Sequence, residues 1–317
     1  MTDILVSYSV LAVYSAMVIY ALAFILFTLD LSRRSAAPVA SKGAVTTASA
    51  SGSTIVLEKT DAPAVVRPKG PRYLRAAVAL TIIAWVLHVA AAVLRGAAAG
   101  RVPWANMFEF TLTATAIIVG VFLVVQFIQD IRFIGAFVTG FALVALGVAT
   151  VNFYVDVVPL PPALQSVWLV IHVFVASLGT AFFAIGAALS VVQLLQSRRE
   201  SGKSSRLRFL DRVPDAAKLE SLAYRMIVVG FVFWTFTLIA GAIWAERAWG
   251  RYWGWDTKEV WTFIIWTIFA GYIHARATRG WRGSRSAWLA IIGFTAVVFN
   301  FTIVNLFFKG LHAYSGL

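Results

Sequence analysis

Runs of about twenty apolar residues recur along almost the whole chain, and they limit its fold more than any single motif does. Eight can be drawn, at roughly 4–29, 74–94, 107–128, 133–152, 166–194, 223–245, 260–276 and 287–308. In lipid an unpaired backbone N–H or C=O costs several kcal/mol, so runs of this length are expected as helices and not as an open sheet. The expected architecture is all-α: a polytopic membrane protein with about eight transmembrane helices, forming one integral membrane domain over 1–317. Composition agrees, since 60% of the chain is hydrophobic against roughly 45–50% for soluble domains. The first run follows Met1-Thr-Asp with no basic residue, so it reads as a retained span and not a cleaved signal.

A net charge of +13 would suit nucleic acid, but the placement of that charge excludes this partner class. Of the 27 Lys and Arg, 21 lie in four stretches: Arg33 to Arg75, Arg132, Arg198 to Arg225 and Arg276 to Arg285. The alternate connections hold the other six: Arg95, Arg101, Arg247, Arg251, Lys258 and Lys309. By the positive-inside rule the first set is cytoplasmic, which leaves both termini outside. Residues 30–72, rich in Ala, Ser, Thr and Pro, read as a flexible cytoplasmic linker. The basic 197–221 stretch reads as partly helical. The chain has no cysteine, so any thiol chemistry it serves belongs to other proteins.

The external stretch 246–260 is the chemically dense part. Residues 249–261 carry Trp249, Trp253, Trp255 and Trp261 with Tyr252, Arg251, Asp256, Lys258 and Glu259. Tryptophan gathers at membrane interfaces for reasons unrelated to ligands, and Asp256 with Glu259 has the spacing of a capping box for the next helix. Interface partition does not account for Trp244, Trp249, Trp253, Trp255, Trp261 and Trp266 within 23 residues. It also leaves Gly250 and Gly254 without a role, where the backbone is free to turn tightly. A ledge of indoles suits a flat, largely apolar ligand such as haem. Arg247, Arg251 and Lys258, and Arg95 and Arg101 from the neighbouring connection, are cations available to its carboxylates.

Four histidines are present, His88, His172, His274 and His312. A lone His on an apolar helix is more often packed than liganded, although ionisable groups inside a bilayer are functional candidates. His172 lies about 9 Å inside the outer start of its span, and His312 follows the outer end of the last, so both reach the level of the tryptophans. Two imidazoles on opposite faces hold a six-coordinate haem iron. His274 lies about 20 Å deeper along its helix than Trp261 and cannot share that iron. His88 reads as structural or as a residue behind the outer site.

Trp253-Gly-Trp-Asp-Thr-Lys-Glu-Val-Trp261 resembles the WWD signature of haem-handling proteins of cytochrome c maturation. Gly271-Tyr-Ile-His274-Ala-Arg276, Val304 through Ser315, and His88 through Arg95 followed by Pro103 through Glu109 extend the match. Together they resemble the CcsA/ResC type of the system II pathway, labelled CcsB in some bacteria. Thr257 stands where that family often has Pro.

The resemblance implies an external haem b ligated by His172 and His312 and cradled by Trp249, Trp253, Trp255, Asp256, Trp261 and Arg251, with His88 nearby. It implies His274 as one ligand of a second, transmembrane haem whose other ligand comes from a ResB-type membrane subunit. The implied activity is that of a haem lyase (holocytochrome c synthase) subunit. It would help haem across the membrane and present it to the CxxCH motif of apocytochrome c, whose thiols are kept reduced by membrane or extracytoplasmic proteins. The implied location is a bacterial plasma membrane. A bis-His subunit for quinol electron transfer is the alternative; a transporter is disfavoured by the lack of internal repeats and of paired intramembrane carboxylates.

Overall fold

The protein, seen as a computed structural model, is described over residues 2–36, 72–160, 164–202, 210, 213–308 and 310–312. Most of the expected linker, most of 203–212 and Lys309 lie outside the described residues. Nine α-helices and no strand occur among the described residues. They are α1 (Thr2–Ala36), α2 (Arg72–Ala99), α3 (Met107–Val125), α4 (Gly135–Asn152) and α5 (Val167–Glu200). Then follow α6 (Ala216–Trp249), α7 (Thr257–Thr278), α8 (Ser284–Phe301) and the short α9 (Ile303–Phe307).

Among the described residues seven segments are long and apolar enough to cross a membrane: six correspond to α1 to α6, and the seventh is the combined Ser284–Phe307 stretch. The sequence suggested about eight. The difference is α7, in which Lys258, Glu259, Arg276 and several indoles and threonines dilute the hydropathy. Yet α7 traverses the bundle. Its first turn lies beside His312 at one end, while Arg276 at its far end pairs with Glu220 at the start of α6.

Two buried charge clusters mark the ends of the bundle. At the tryptophan-bearing end Glu109, fully buried, accepts from Arg95 at 3.1 Å and from Arg101 at 2.6 Å. Arg95 also donates to the Val155 carbonyl, so α2, α3 and the segment after α4 are fastened together. At the arginine-rich end Glu220 accepts from Arg276 at 2.6 Å and from the Gly283 N–H at 3.0 Å, joining α6, α7 and the start of α8. The Ser9 hydroxyl donates to the Ala91 carbonyl near the end of α2, so the start of α1 and His312 share the tryptophan end.

The tightest helix pair is α5 with α6. Small residues line their contact, and a β-carbon on Gly186 would come within 2.6 Å of Ile227. Apolar burial against lipid gives little net drive, so close approach and dispersion hold such a pair. Phe183 on α5 stacks on Phe269 of α7, with centroids 3.6 Å apart, carrying the same packing across to α7. Local signals set the helix ends: Asn106 caps α3, Ser166 caps α5, and α6 stops at Gly250 in the left-handed region, φ 70°.

Removing one partner from a buried ion cluster leaves uncompensated charge. Glu109→Ala should therefore destabilise the detergent-solubilised protein by about 3–5 kcal/mol. A Glu220→Ala melt gives the comparison at the other end. An unchanged melting temperature for Glu109→Ala would show that Arg95 is not held by this contact.

Candidate functional site

One cleft opens at the tryptophan end, where the start of α5, the end of α6, the first turn of α7 and the segment after α9 converge. His172, Trp244, Trp253, Lys258, Glu259 and His312 are among the residues that line it. His172 is the sixth residue of α5. Its Nδ1 lies 3.0 Å from the Thr237 carbonyl of α6. A carbonyl only accepts, so Nδ1 carries the proton and Nε2 keeps a free lone pair. Gly241 stands one turn beyond Thr237, and a β-carbon there would approach the His172 ring to 2.7 Å. The space for this imidazole therefore depends on glycine.

His312 is oriented from the opposite direction. Its Nδ1 lies 2.7 Å from Oδ2 of Asp256, and the other oxygen of Asp256 accepts the Leu311 N–H at 3.1 Å. A β-carbon on Gly310 would collide with Asp256 at 2.1 Å, so this approach too requires glycine. The hydrogen bond from His312 is the largest cause holding the Asp256 carboxyl down, to about 2. His312 itself is shifted below the ordinary histidine value, because loss of water around the ring outweighs the attraction of Asp256. The pair is thus a carboxylate with a neutral imidazole whose Nε2 is available. Both histidines show the pattern of metal-binding imidazoles, with Nδ1–H fixed by an acceptor and Nε2 left for the metal.

Trp244 connects the two. Its indole stacks on His172, centroids 5.9 Å apart at 20°, and meets the His312 ring edge-on at 5.5 Å. Trp249 touches both Trp244, at 4.8 Å, and His312, at 5.0 Å. The first turn of α7 closes the cleft. Asp256 and Glu259 form the capping box, and the same Glu259 oxygen also accepts the Gly254 N–H at 2.8 Å. The other carboxylate oxygen of Glu259 is buried without a hydrogen-bond partner. Lys258 donates to Asn305, whose amide also meets the Met107 sulfur at 3.3 Å. The donor set fits an iron porphyrin: two neutral imidazoles with open Nε2 atoms, indole walls and one amine in the lining.

Similarity to known proteins points the same way. The family model described as "Cytochrome C assembly protein" matches residues 104–312. The cytochrome c biogenesis protein CcsA of Trieres chinensis is 33% identical over 248 residues, covering 69% of this chain and 80% of that protein. CcsA of Guillardia theta is 35% identical over 235 residues, covering 69% and 78%. This chain belongs to the cytochrome c assembly family. CcsA of Synechocystis sp. (strain ATCC 27184 / PCC 6803 / Kazusa) is 32% identical and covers 79% of the chain and 91% of itself. Among solved structures, "Cytochrome c Heme Lyase CcmF" shares the fold with a TM-score of 0.65 at 16% identity. That likeness covers 98% of this chain, which spans about half of the longer protein, at 48%. The assignment is to a CcsA-type, multi-pass membrane protein of cytochrome c biogenesis.

Within the family fold the expected site residues separate. His172, His312, Trp253 and the Asp256 that holds His312 are brought together, and Trp249 reaches the cleft through His312. Trp255 is 77% exposed, with φ 59°, and meets only the edge of Trp253 among the ring contacts. Trp261 faces α8 and packs on Phe299 at 4.4 Å, because its position on α7 turns it away from the cleft. Arg251 is exposed and bends back to the Gly254 carbonyl, so it braces the loop and does not line the cleft. Gly250 and Gly254 therefore serve the chain's own turn. His88 is set apart: it is fully buried, with Nε2 2.8 Å from the Leu112 carbonyl and Nδ1 3.3 Å from the Tyr20 hydroxyl. It ties α1, α2 and α3 and has no nitrogen left for iron. Arg95 and Arg101 are likewise committed to Glu109. His274 sits exposed near the arginine-rich end of α7.

Sequence reasoning did not find Thr237, Gly241 or Asn305. The four-residue spacing of Thr237 and Gly241, which puts a small residue one turn from a carbonyl on the same helix face, was the available signal. The neutral His312 yields a direct expectation. Because its value is lowered from 6.5, the neutral, Nδ1–H form predominates at pH 7 and is lost as pH falls through the lowered value. Histidine-selective nitrogen NMR should show this tautomer at pH 7; a doubly protonated His312 at that pH would contradict the arrangement.

Proposed function

We propose that this protein binds haem b between His172 and His312 on the outer side of the membrane and presents it for covalent attachment to the CxxCH motif of apocytochrome c. The convergence of the two imidazoles, each with Nδ1 fixed and Nε2 open, on one indole-walled cleft carries this reading. The chain's own work is positioning. Trp244 and Trp253 supply apolar surface for the ring system, and Lys258 in the same lining lies ready for a carboxylate. Thioether formation then adds each apocytochrome S–H across a haem vinyl group, with no net redox change. Holding thiols next to vinyls replaces a high concentration of reactants. In this role the protein is a subunit of a holocytochrome c synthase.

The exposed position of His274 supports a second haem at a protein interface, its other ligand supplied by a ResB-type subunit. The charge distribution supports an outward-facing cleft, with both termini on that side and the arginine-rich connections in the cytoplasm. A bacterial plasma membrane suits that arrangement, with thiol-reducing proteins serving the apocytochrome from outside this chain. A two-haem quinol-oxidising subunit would need a further histidine pair, and both nitrogens of His88 are taken.

The test is haem content and cytochrome yield in point variants. His172→Ala and His312→Ala should each remove the outer low-spin haem signal and lower c-type cytochromes at least tenfold, on the order of the 10–100-fold cost of disturbing a metal site. Membrane levels of the protein should be kept. His274→Ala should spare the outer haem while losing the inner one. Normal cytochrome levels in both outer variants would reject the lyase role.

A further inference from the structure

The two outer imidazoles are held in unequal ways. His172 belongs to the interior of a 34-residue helix. Its ring fits against Gly241, stacks on Trp244 and donates to a main-chain carbonyl. Moving it would require α5 to part from α6, along the most closely packed seam of the bundle. His312 hangs on a different support. α8 breaks at Thr302, with φ −94° and ψ −73°, and the five-residue α9 and an extended Phe308 stand between that break and the segment carrying it. The Leu311 N–H and the His312 ring are both fastened to the single carboxylate of Asp256. Its ring contacts with Trp244 and Trp249 are T-shaped, and 19% of its side chain is exposed.

Resting on the haem-binding reading above, we propose that His312 is the exchangeable ligand and His172 the permanent one. On this assignment the apocytochrome's histidine enters from the His312 side, and Asp256 acts as a positioning residue that retains His312 after it lets go. The exchange balances simply. The bond from iron to Nε2 of His312 breaks and one from iron to the entering imidazole nitrogen forms. No electron is transferred and both imidazoles stay neutral, because the Nδ1 proton of His312 remains in its hydrogen bond to Asp256. A carboxylate acceptor raises the basicity of the imidazole it holds, so Asp256 also sets how readily His312 leaves. His172, backed by a neutral carbonyl, has no such control.

Ligand release can be timed with cyanide. On a six-coordinate ferric haem, the rate at saturating cyanide equals the rate at which a protein ligand departs. The full chain, purified with its haem in a His274→Ala background so that only the outer haem reports, is compared with the same chain carrying Asp256→Asn. Asn keeps the capping oxygen but presents an amide NH2 or a neutral oxygen to His312. The plateau rate should rise about tenfold, the lower end of the cost of losing a residue behind a metal ligand. Val232→Ala, at an exposed residue of α6 outside the cleft lining, should leave it unchanged. Should the Asn variant shed its haem, Asp256→Glu is measured in the same way and should also differ from the parent rate. An unaltered rate in the Asp256 variant measured would assign exchange to His172 and overturn the proposal. A parent protein without bis-histidine haem would instead remove the haem-binding reading itself, and this inference with it.

Discussion

The carboxylate of Asp256 is the contact through which separate parts of the chain become one site. It caps α7 through its backbone acceptance, takes the Leu311 N–H, and holds the ring of His312 at 2.7 Å. Each role alone is ordinary: a capping box is worth roughly 1 kcal/mol. Combined, they tie the helix start behind the tryptophan loop to the segment that carries Leu311 and His312. Glu259 works beside it, accepting from the Gly254 and Asp256 N–H groups with one oxygen. The loop is consequently rigid at its base, even though Trp255 and Tyr252 project into the open.

Much of the bundle was legible in the sequence because lipid makes a one-dimensional demand: each apolar run must satisfy its own backbone. The capping role of Asp256 was equally legible, since a capping box needs only residues three apart. Its partnership with His312 was not, because the two lie 56 positions apart with α7, α8 and α9 between them, and no periodicity encodes that contact. Trp261 shows the reverse failure. It belongs to the tryptophan cluster by sequence, but once α7 begins, helical phase rotates it toward Phe299. Arg95 and Arg101 looked free for a ligand only because their acceptor, Glu109, is a single residue serving both. Composition undercounted α7 for a similar reason. Among the charges that lower its hydropathy, Lys258 and Glu259 line the cleft at one end and Arg276 pairs with Glu220 at the other.

The two ends of the bundle use buried charge differently. At the tryptophan end two guanidiniums share one carboxylate, and at the other end one carboxylate gathers a guanidinium, a backbone N–H and the Ser286 hydroxyl. Neither cluster lines the cleft. Their role is to fix which helix ends meet, so that the polar groups of the cleft need not also hold the bundle together. That division leaves His172 and His312 with unfilled nitrogens at no cost to the fold.

The glycine-lined seam between α5 and α6 has a mechanical consequence. His172 is carried by one of these helices, while Thr237 and Gly241, which frame its ring, are carried by the other. With Ile227 pressed against Gly186 well below the cleft, there is no slack along the seam to absorb added bulk. A side chain enlarged at that depth would act as a wedge beneath a pair of tongs, spreading the jaws that grip the imidazole. Sequence drift far from the indoles can therefore shift the His172 imidazole without touching any residue that faces it.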